Sequence, residues 1–292
     1  MLLKAGLLGI LQGIFEFLPV SSAGHLMLFY TLLHMKTASP VAFLSAAHLG
    51  SLVAVCFLFQ KELLHSIAEL LQIPGKLKAN TKNYIEQLKN GVREPYHPLF
   101  TSNYGRLAML CTVGNIPTVI LGIFFRQLAE KLATNILAVG MGFLITAIFL
   151  LVAGVIQQGT KTPQDLVWWQ ILLLGVCQGC AVFPGVSRFA LVLCLLILFG
   201  QTQKSSIRCA VLMQVPVLLG AFVYTVRDLF SDGNIAVTAV AMLLCILLSA
   251  LTSCFLIRTM LKRIHKRSFL GFSLYCVLLA LICIACHLYL AK

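Results

Sequence analysis

Apolar residues dominate the chain in long unbroken runs, and polar positions fall mostly between them. Runs at about 41–60, 107–125, 136–156, 208–227, 235–257 and 269–290 are long enough to cross a bilayer as helices, which takes roughly 17–25 residues. Two further apolar regions are interrupted. The region 2–34 is broken by Pro19-Val-Ser-Ser-Ala-Gly24, and 166–200 by Pro184-Gly-Val-Ser-Arg188. Their second arms, 25–34 and 189–199, are short. At about 1.5 Å per residue each covers only about half of a roughly 30 Å hydrocarbon core. Short, Pro/Gly-broken segments in matching places predict re-entrant helical hairpins near the midplane. The expected fold is an all-α polytopic membrane protein with about six transmembrane helices and two re-entrant helical hairpins.

The two halves echo each other. Gly9-Ile-Leu-Gln12-Gly13-x-x-x-Phe17 matches Gly175-Val-Cys-Gln178-Gly179-x-x-x-Phe183, and a Pro and then a Ser follow each (Pro19 and Ser22, Pro184 and Ser187). Asn115-Ile-Pro117 with Gly122 likewise resembles Gln214-Val-Pro216 with Gly220. The pattern predicts one integral membrane domain over 1–292, with an inverted-topology repeat of 1–125 against 166–290.

Charge then orients the chain. Only 11% of residues are charged, against about 25% in soluble domains, so a water-compatible surface cannot be built. That excludes a cytosolic enzyme, a disordered chain and a nucleic-acid-binding domain, although the net charge is +13. The basic residues gather instead in 61–106 (Lys61, Lys76, Lys78, Lys82, Lys89, Arg93, Arg106) and in 258–267, which predicts both as cytoplasmic and in contact with anionic lipid headgroups. Counting spans outward puts 157–165 and 200–207 inside and 35–40, 126–135 and 228–234 outside. Within the long basic loop 61–106, an amphipathic helix is expected at Lys82–Val92. The eleven cysteines lie mostly in apolar stretches and read as small hydrophobes, including the pairs Cys177/Cys180 and Cys283/Cys286. The N-terminus does not read as a cleavable leader.

An inventory of charges isolates the candidate chemistry. Of nine acids, Glu62, Glu69, Glu86, Glu94, Glu130, Asp165, Asp228 and Asp232 fall in loops or at span ends, and only Glu16 lies inside an apolar segment. Of 22 Lys and Arg, Arg188 alone sits between two apolar arms. An ionisable group at bilayer depth costs roughly 2.5–3.5 kcal/mol and points to function. Glu16 and Arg188 occupy corresponding breaks, so hairpin tips meeting at the midplane would place them in one polar cavity. A structural ion pair is the plainer alternative. Ser21, Ser22, Gly24 and His25 follow the first proline, and Gly185 and Ser187 precede Arg188. Such turns expose backbone N–H groups at helix starts and, with an arginine, suit an anion rich in oxygens such as phosphate or diphosphate. His25 offers a proton donor or acceptor, and Ser22 a nucleophile. Taken singly, a turn serine more often caps backbone. His48 in Ala46-Ala-His-Leu-Gly50, Gln12 and Gln178 read as interhelical hydrogen-bonding groups, and His34, His65, His97 and His287 as loop or interface residues.

These residues resemble a known family. Gln12-Gly-Ile-Phe-Glu16-Phe-Leu-Pro-Val-Ser-Ser-Ala-Gly-His25 is similar to the first signature of the undecaprenyl-diphosphatase (UppP or BacA) family, and Gln178-x-x-Ala181-x-x-Pro184-Gly-Val-Ser-Arg188 to its second. His48-Leu-Gly-Ser51, Gly114-Asn-Ile-Pro117 and Pro216 through Ala221 look like further family segments. The resemblance implies a multi-pass enzyme of the bacterial inner membrane, with its site reached from the periplasmic side. It would hydrolyse undecaprenyl diphosphate to the monophosphate and inorganic phosphate, recycling the carrier for peptidoglycan and the cell wall, and its overexpression would confer bacitracin resistance. It implies catalytic roles for Glu16, Ser22, His25 and Arg188 and substrate contacts at Gln12, Ser21, Gly24, Gly185 and Ser187. A divalent cation, Mg2+ or Ca2+, is implied too, with Glu16 as its ligand. Partners are the prenyl diphosphate lipid and membrane lipids, with no nucleic acid and with a homodimer as one assembly it allows. Three departures stand out: Phe189-Ala190 where the family has Ser-Gly after the Arg, Leu44 where an acid is frequent, and Ala23 in place of Ser or Thr. Inverted repeats around an anion site also characterise carriers, so a lipid-phosphate flippase is the rival on the same fold.

Overall fold

A helix in lipid satisfies its own backbone, and the chain uses almost nothing else. The computed structural model describes residues 2–32, 40–91, 95–100, 102–133, 135–157, 159–225 and 235–290. Its helices are α1 (Leu2–Phe15), α2 (Ser22–Leu32), α3 (Pro40–Leu58), α4 (Gln60–Asn90), α5 (Asn103–Thr112), α6 (Asn115–Ala133), α7 (Ile136–Val155), α8 (Trp168–Cys180), α9 (Arg188–Leu198), α10 (Gln203–Met213), α11 (Val215–Thr225), α12 (Ile235–Arg263) and α13 (Lys266–Leu290). No strand occurs among the described residues, only a bridge between Lys161 and Gln201. Five helical stretches are long and apolar enough to cross a membrane, and a sixth is reached if the bent pair α3–α4 is one span. Large apolar side chains such as Ile123, Phe124, Leu247, Phe255, Leu278 and Ile282 are exposed along these stretches, as a lipid-facing surface requires. The protein is a polytopic helical membrane protein.

The expected runs and the short arms coincide with helices. His34, Glu94, Asp228 and Asp232 lie outside the described residues. So do the loops expected at 35–40 (bar Pro40, which opens α3) and 228–234, and the side chain of Leu44. One expectation is corrected. The amphipathic helix is not confined to Lys82–Val92: α4 runs for 31 residues from Gln60, through Pro74, to a left-handed Gly91. It departs from α3 at 84°. Pro74 costs the ladder only its bond to the Leu70 carbonyl, and Pro74 itself is exposed rather than in a packed core. One face of α4 is tied to the segment 95–102. Asn80 Nδ2 donates to the His97 carbonyl at 2.8 Å, Asn83 Nδ2 to that of Pro95 at 3.1 Å, and Ser102 Oγ to Glu69 Oε1 at 2.7 Å.

Helix association in lipid depends on close approach and hydrogen bonds, because lipid tails are as apolar as leucine. The principal seams are α1 on α12, α3 on α12 and α11, α6 on α8, and α7 on α13. Ser253 Oγ donates to Ser51 Oγ at 3.0 Å and Ser249 Oγ to the Ala47 carbonyl at 2.8 Å, which knits α12 to α3. At the α6–α8 seam, Thr118 Oγ1 donates to the Gly175 carbonyl at 2.8 Å, and an added methyl at Gly175 would collide with the Gly114 carbonyl oxygen. Two spans are broken midway, α5–α6 at Val113–Gly114 and α10–α11 at Gln214, each just ahead of a proline (Pro117, Pro216) that cannot carry the ladder through. On another face, Lys161 N donates to the Gly200 carbonyl at 3.0 Å and Thr202 N to that of Lys161 at 3.1 Å, so the α7–α8 and α9–α10 connections lie together.

Two outcomes follow. Gly175→Ala, which must push backbone apart, destabilises the protein by about 1–3 kcal/mol. Gly122→Ala, with nothing near its added methyl, is neutral, and thermal unfolding in detergent compares the two. The Ser102 hydroxyl, helped by the Lys76 ammonium and opposed by partial burial, holds the Glu69 carboxyl below its ordinary value of 4.5. Its contribution to docking 95–102 on α4 is therefore complete above that value and lost as pH falls through the depressed one. Proteolysis at 95–102 speeds up on acidification in the wild type, whereas Glu69→Ala is cleaved readily at neutral pH.

Candidate active site

Glu16 directly follows α1, at the point where Pro19 prevents the helix from continuing. Its side chain is 4% exposed, so its charge must be met by neighbours. Three groups converge on Oε2. Gln12 Nε2, one turn earlier, donates at 2.8 Å; Ser22 Oγ donates at 2.8 Å; His48 Nδ1, from α3, lies at 3.1 Å. Gln12 Nε2 also abuts His48 Nδ1, while Gln12 Oε1 is buried with no hydrogen-bond partner among the described residues.

The turn is shaped by Ser21. It is the one non-glycine residue at positive φ (69°) among those described, a conformation that costs about 1–3 kcal/mol and persists where surrounding contacts hold it. Ser21 Oγ accepts from Gly24 N at 3.4 Å and donates to the Val186 carbonyl at 3.3 Å. Ser21 is thus the backbone cap, and Ser22, opening α2, is left free to bond the carboxylate.

The Ser21 bond to Val186 also joins the two broken regions. A methyl on Gly24 would lie 3.2 Å from Gly185 Cα, so the two breaks are in contact. Gly185 has φ of 82°, which favours glycine, and sits against Val139 and Phe143 of α7. Thr146 on α7 secures this turn, donating to the Gly185 carbonyl at 3.0 Å and accepting from Ser187 N at 2.9 Å. Ser187 caps α9 by accepting from Ala190 N at 3.2 Å. Arg188 is the first residue of α9. It is half-buried, its charge acts on Glu16, and it forms no ion pair with Glu16 within 4.0 Å. Among the described residues no group accepts a hydrogen bond from its guanidinium, and the tips are not held together by a closed Glu16–Arg188 pair. Phe189 and Ala190, the departures from the family pattern, are buried. Phe189 meets Phe17 edge-on with centroids 6.4 Å apart.

His25 stands differently from the sequence expectation. Its Nδ1 lies 2.7 Å from the Ser21 carbonyl, which can only accept, so Nδ1 carries the proton. In the neutral ring Nε2 then accepts from the Tyr275 hydroxyl of α13 at 2.8 Å. The ring stacks on Phe15 at 4.0 Å and meets Phe143 edge-on at 5.3 Å. Both nitrogens are engaged away from Ser22. Glu16, Ser22 and Gln12 are brought together, with Arg188 nearby, whereas His25 braces the turn from behind. His48 is an interhelical hydrogen-bonding group as read, but its partner is Glu16, and only its place in an apolar run hinted at that. Tyr275 had no signal in the sequence. Gln178 bonds Asn115 Oδ1 at 2.6 Å, away from the carboxylate. Among the described residues no three His, Cys, Asp or Glu side chains stand close enough to hold a metal, and all eleven cysteines are free.

Tyr275→Phe removes the bond to His25 Nε2 while keeping the stacked ring. The variant folds, turns over more slowly, and shows a changed His25 Nε2 resonance by NMR; His48→Ala, acting on Glu16 itself, loses more activity than Tyr275→Phe.

Known proteins are similar to this chain over nearly its whole length. The profile of the family described as bacitracin resistance protein BacA matches residues 5–282. An undecaprenyl-diphosphatase of Alkaliphilus metalliredigens is 30% identical over 272 residues, 93% of this chain and 94% of the relative. One from Methanosphaera stadtmanae is 31% identical over 284 residues, 97% of each chain. One from Desulforapulum autotrophicum is 32% identical over 285 residues, 95% of each. With the match running through both broken regions and every span between them, the chain belongs to the BacA family of bacitracin resistance proteins.

Proposed function

We propose that this protein hydrolyses undecaprenyl diphosphate to undecaprenyl phosphate and inorganic phosphate, recycling the lipid carrier for peptidoglycan synthesis. The observation that carries the reading is the Ser22 hydroxyl, hydrogen-bonded at 2.8 Å to a buried carboxylate, beside an arginine whose guanidinium has no hydrogen-bond partner among the described residues. A nucleophile touching its base, with the base held by a third group, is the recurrent arrangement of covalent catalysis. Glu16 is the base, and Gln12 and His48 orient it. Arg188 at the α9 N-terminus, with the amides of the two turns, binds the phosphate oxygens and stabilises charge in the transition state.

Ser22 Oγ attacks the terminal phosphorus and passes its proton to Glu16. The anhydride P–O bond breaks, undecaprenyl phosphate leaves, and Glu16 gives the proton it received to the departing phosphate oxygen, which restores the carboxylate. Water then attacks the phosphorus on Ser22; its proton passes to Glu16 and from there to Ser22 Oγ as the P–Oγ bond breaks and inorganic phosphate leaves. An apolar groove of about 470 Å³ beside the first turn, lined by Phe15, Leu18, Val20, Phe272 and Tyr275 among others, suits the start of the prenyl chain. His25 maintains the turn rather than transferring the proton. Ser21, Gly24, Gly185 and Ser187 shape the phosphate cradle through their backbone.

A divalent cation, Mg2+ or Ca2+, fits as an ion shared with the substrate. The polar donors are one carboxylate, Glu16, and the unpartnered Gln12 Oε1, and magnesium commonly takes one or two carboxylates together with substrate phosphates. Bound there, it would neutralise phosphate charge.

The echo of α1 in α8, each followed by a proline-broken turn, and of the break ahead of Pro117 in the break ahead of Pro216, supports the inverted repeat of 1–125 against 166–290. The short lengths of α1 and α9 support re-entrant hairpins. The contact between 159–162 and 200–202 agrees with one cytoplasmic face that also carries 61–106, which leaves the first hairpin opening to the periplasm of an inner membrane. A carrier has no task for the Ser22–Glu16 bond, and the hydrolytic reading uses it directly. The test is phosphate release from undecaprenyl diphosphate by purified protein, with and without EDTA. Arg188→Ala and Ser22→Ala fold normally and lose roughly hundredfold or more in turnover. Substrate labelled in its terminal phosphate marks Ser22 on rapid quenching. Full activity of either variant rules the mechanism out.

A further inference from the structure

We infer that α4 is an anionic-lipid docking element, lying in the headgroup plane of one leaflet with its unpartnered face on the bilayer. The helix has two faces. Ser66, Glu69, Ile73, Lys76, Asn80, Asn83 and Gln87 recur at helical spacing, all at least half-buried, and all but Ile73 bond to residues of 95–104. The opposite stripe has no such cover. Leu64, Ile67 and Leu71 are 65%, 51% and 77% exposed and continue, at the same spacing, into Lys78, Lys82, Ile85 and Lys89. The stripe is therefore apolar beside the span and basic farther out. An open recess of about 540 Å³ follows its basic half, lined by Lys78, Thr81, Lys82, Ile85, Glu86 and Lys89.

Three features select a membrane surface over a protein partner. The 84° departure from α3 turns α4 across the direction of a span, so the helix runs along the bilayer instead of into solvent. The uncovered stripe offers both components of interfacial binding, apolar side chains to bury at the acyl boundary and lysines to meet lipid phosphates. Charge is complementary as well. Lys76 is spent on Glu69 and the Leu99 carbonyl, and Lys82 has only a 3.6 Å surface pair with Glu86, whereas Lys78 and Lys89 make no ion pair within the described residues. The occupant is an anionic glycerophospholipid leaflet. The inference is independent of the hydrolytic reading, since it concerns no residue of that site.

The protein's two tryptophans, Trp168 and Trp169, are both exposed and make the test practical. In a Trp168→Phe/Trp169→Phe background, Leu71→Trp or Tyr96→Trp is introduced into the full chain in lipid nanodiscs. Brominated phosphatidylglycerol quenches the emission of Leu71→Trp strongly and that of Tyr96→Trp, across the helix on the covered side, hardly at all. Equal quenching overturns the orientation. Separately, mass spectrometry compares the phosphatidylglycerol and phosphatidylcholine retained by wild type and by a Lys78→Gln/Lys82→Gln/Lys89→Gln variant. The expected result is a loss of anionic preference of about fivefold or more. Unchanged preference overturns the basic half of the assignment even if Leu71→Trp is quenched. A variant that fails to fold is replaced by wild type in discs of rising salt, where the preference must fall.

Discussion

A carboxylate has to be held charged inside a membrane protein, and much of the local architecture meets that demand. Glu16 is nearly inaccessible, yet three polar groups from three helices meet on one of its oxygens. Each needs a particular backbone. Gln12 needs α1 to run unbroken to Phe15, Ser22 needs the left-handed Ser21 before it, and His48 needs α3 seated against α1. Remove the carboxylate and the strained turn loses its reason. Remove the turn and the carboxylate is an uncompensated charge at a depth where that is costly.

The two broken regions meet asymmetrically. The first break carries the carboxylate and the hydroxyl, the second the arginine, and neither half holds both. Contact runs through backbone, with Ser21 on Val186 and Gly24 against Gly185, and the charged side chains keep apart. A closed Glu16–Arg188 bridge would bury both partners and leave nothing for a phosphate. An arginine kept open beside a carboxylate already satisfied by neutral or weakly basic neighbours retains its affinity for an anion.

Much of this was legible from residue order. The spans follow from run length, the breaks from Pro19 and Pro184, and the site from the single acid and single arginine inside apolar segments. These are local signals: hydropathy and helix-breaking act on the residues that carry them. What escaped depends on long-range packing. His48 and Tyr275 reach the site from helices whose own sequence looks like ordinary span, because one polar group in an apolar run reads alike whether it meets a backbone carbonyl or a buried carboxylate. His25 was legible as a site residue but not in its orientation, which the Ser21 carbonyl and Tyr275 decide. The extent of α4 was hidden by Pro74 and Gly75, residues that ordinarily end a helix and here do not.

The seam between α7 and α13 has a mechanical meaning. Thr146 of α7 grips the turn that carries Arg188, and Tyr275 of α13 grips the turn that carries Glu16 and Ser22. These helices pack on each other along their length, so their relative slide acts as a calliper on the gap between Arg188 and Ser22. A small apolar molecule wedged into that seam from the lipid would widen the jaws without touching phosphate. Inhibition of that kind would not be relieved by raising the concentration of substrate.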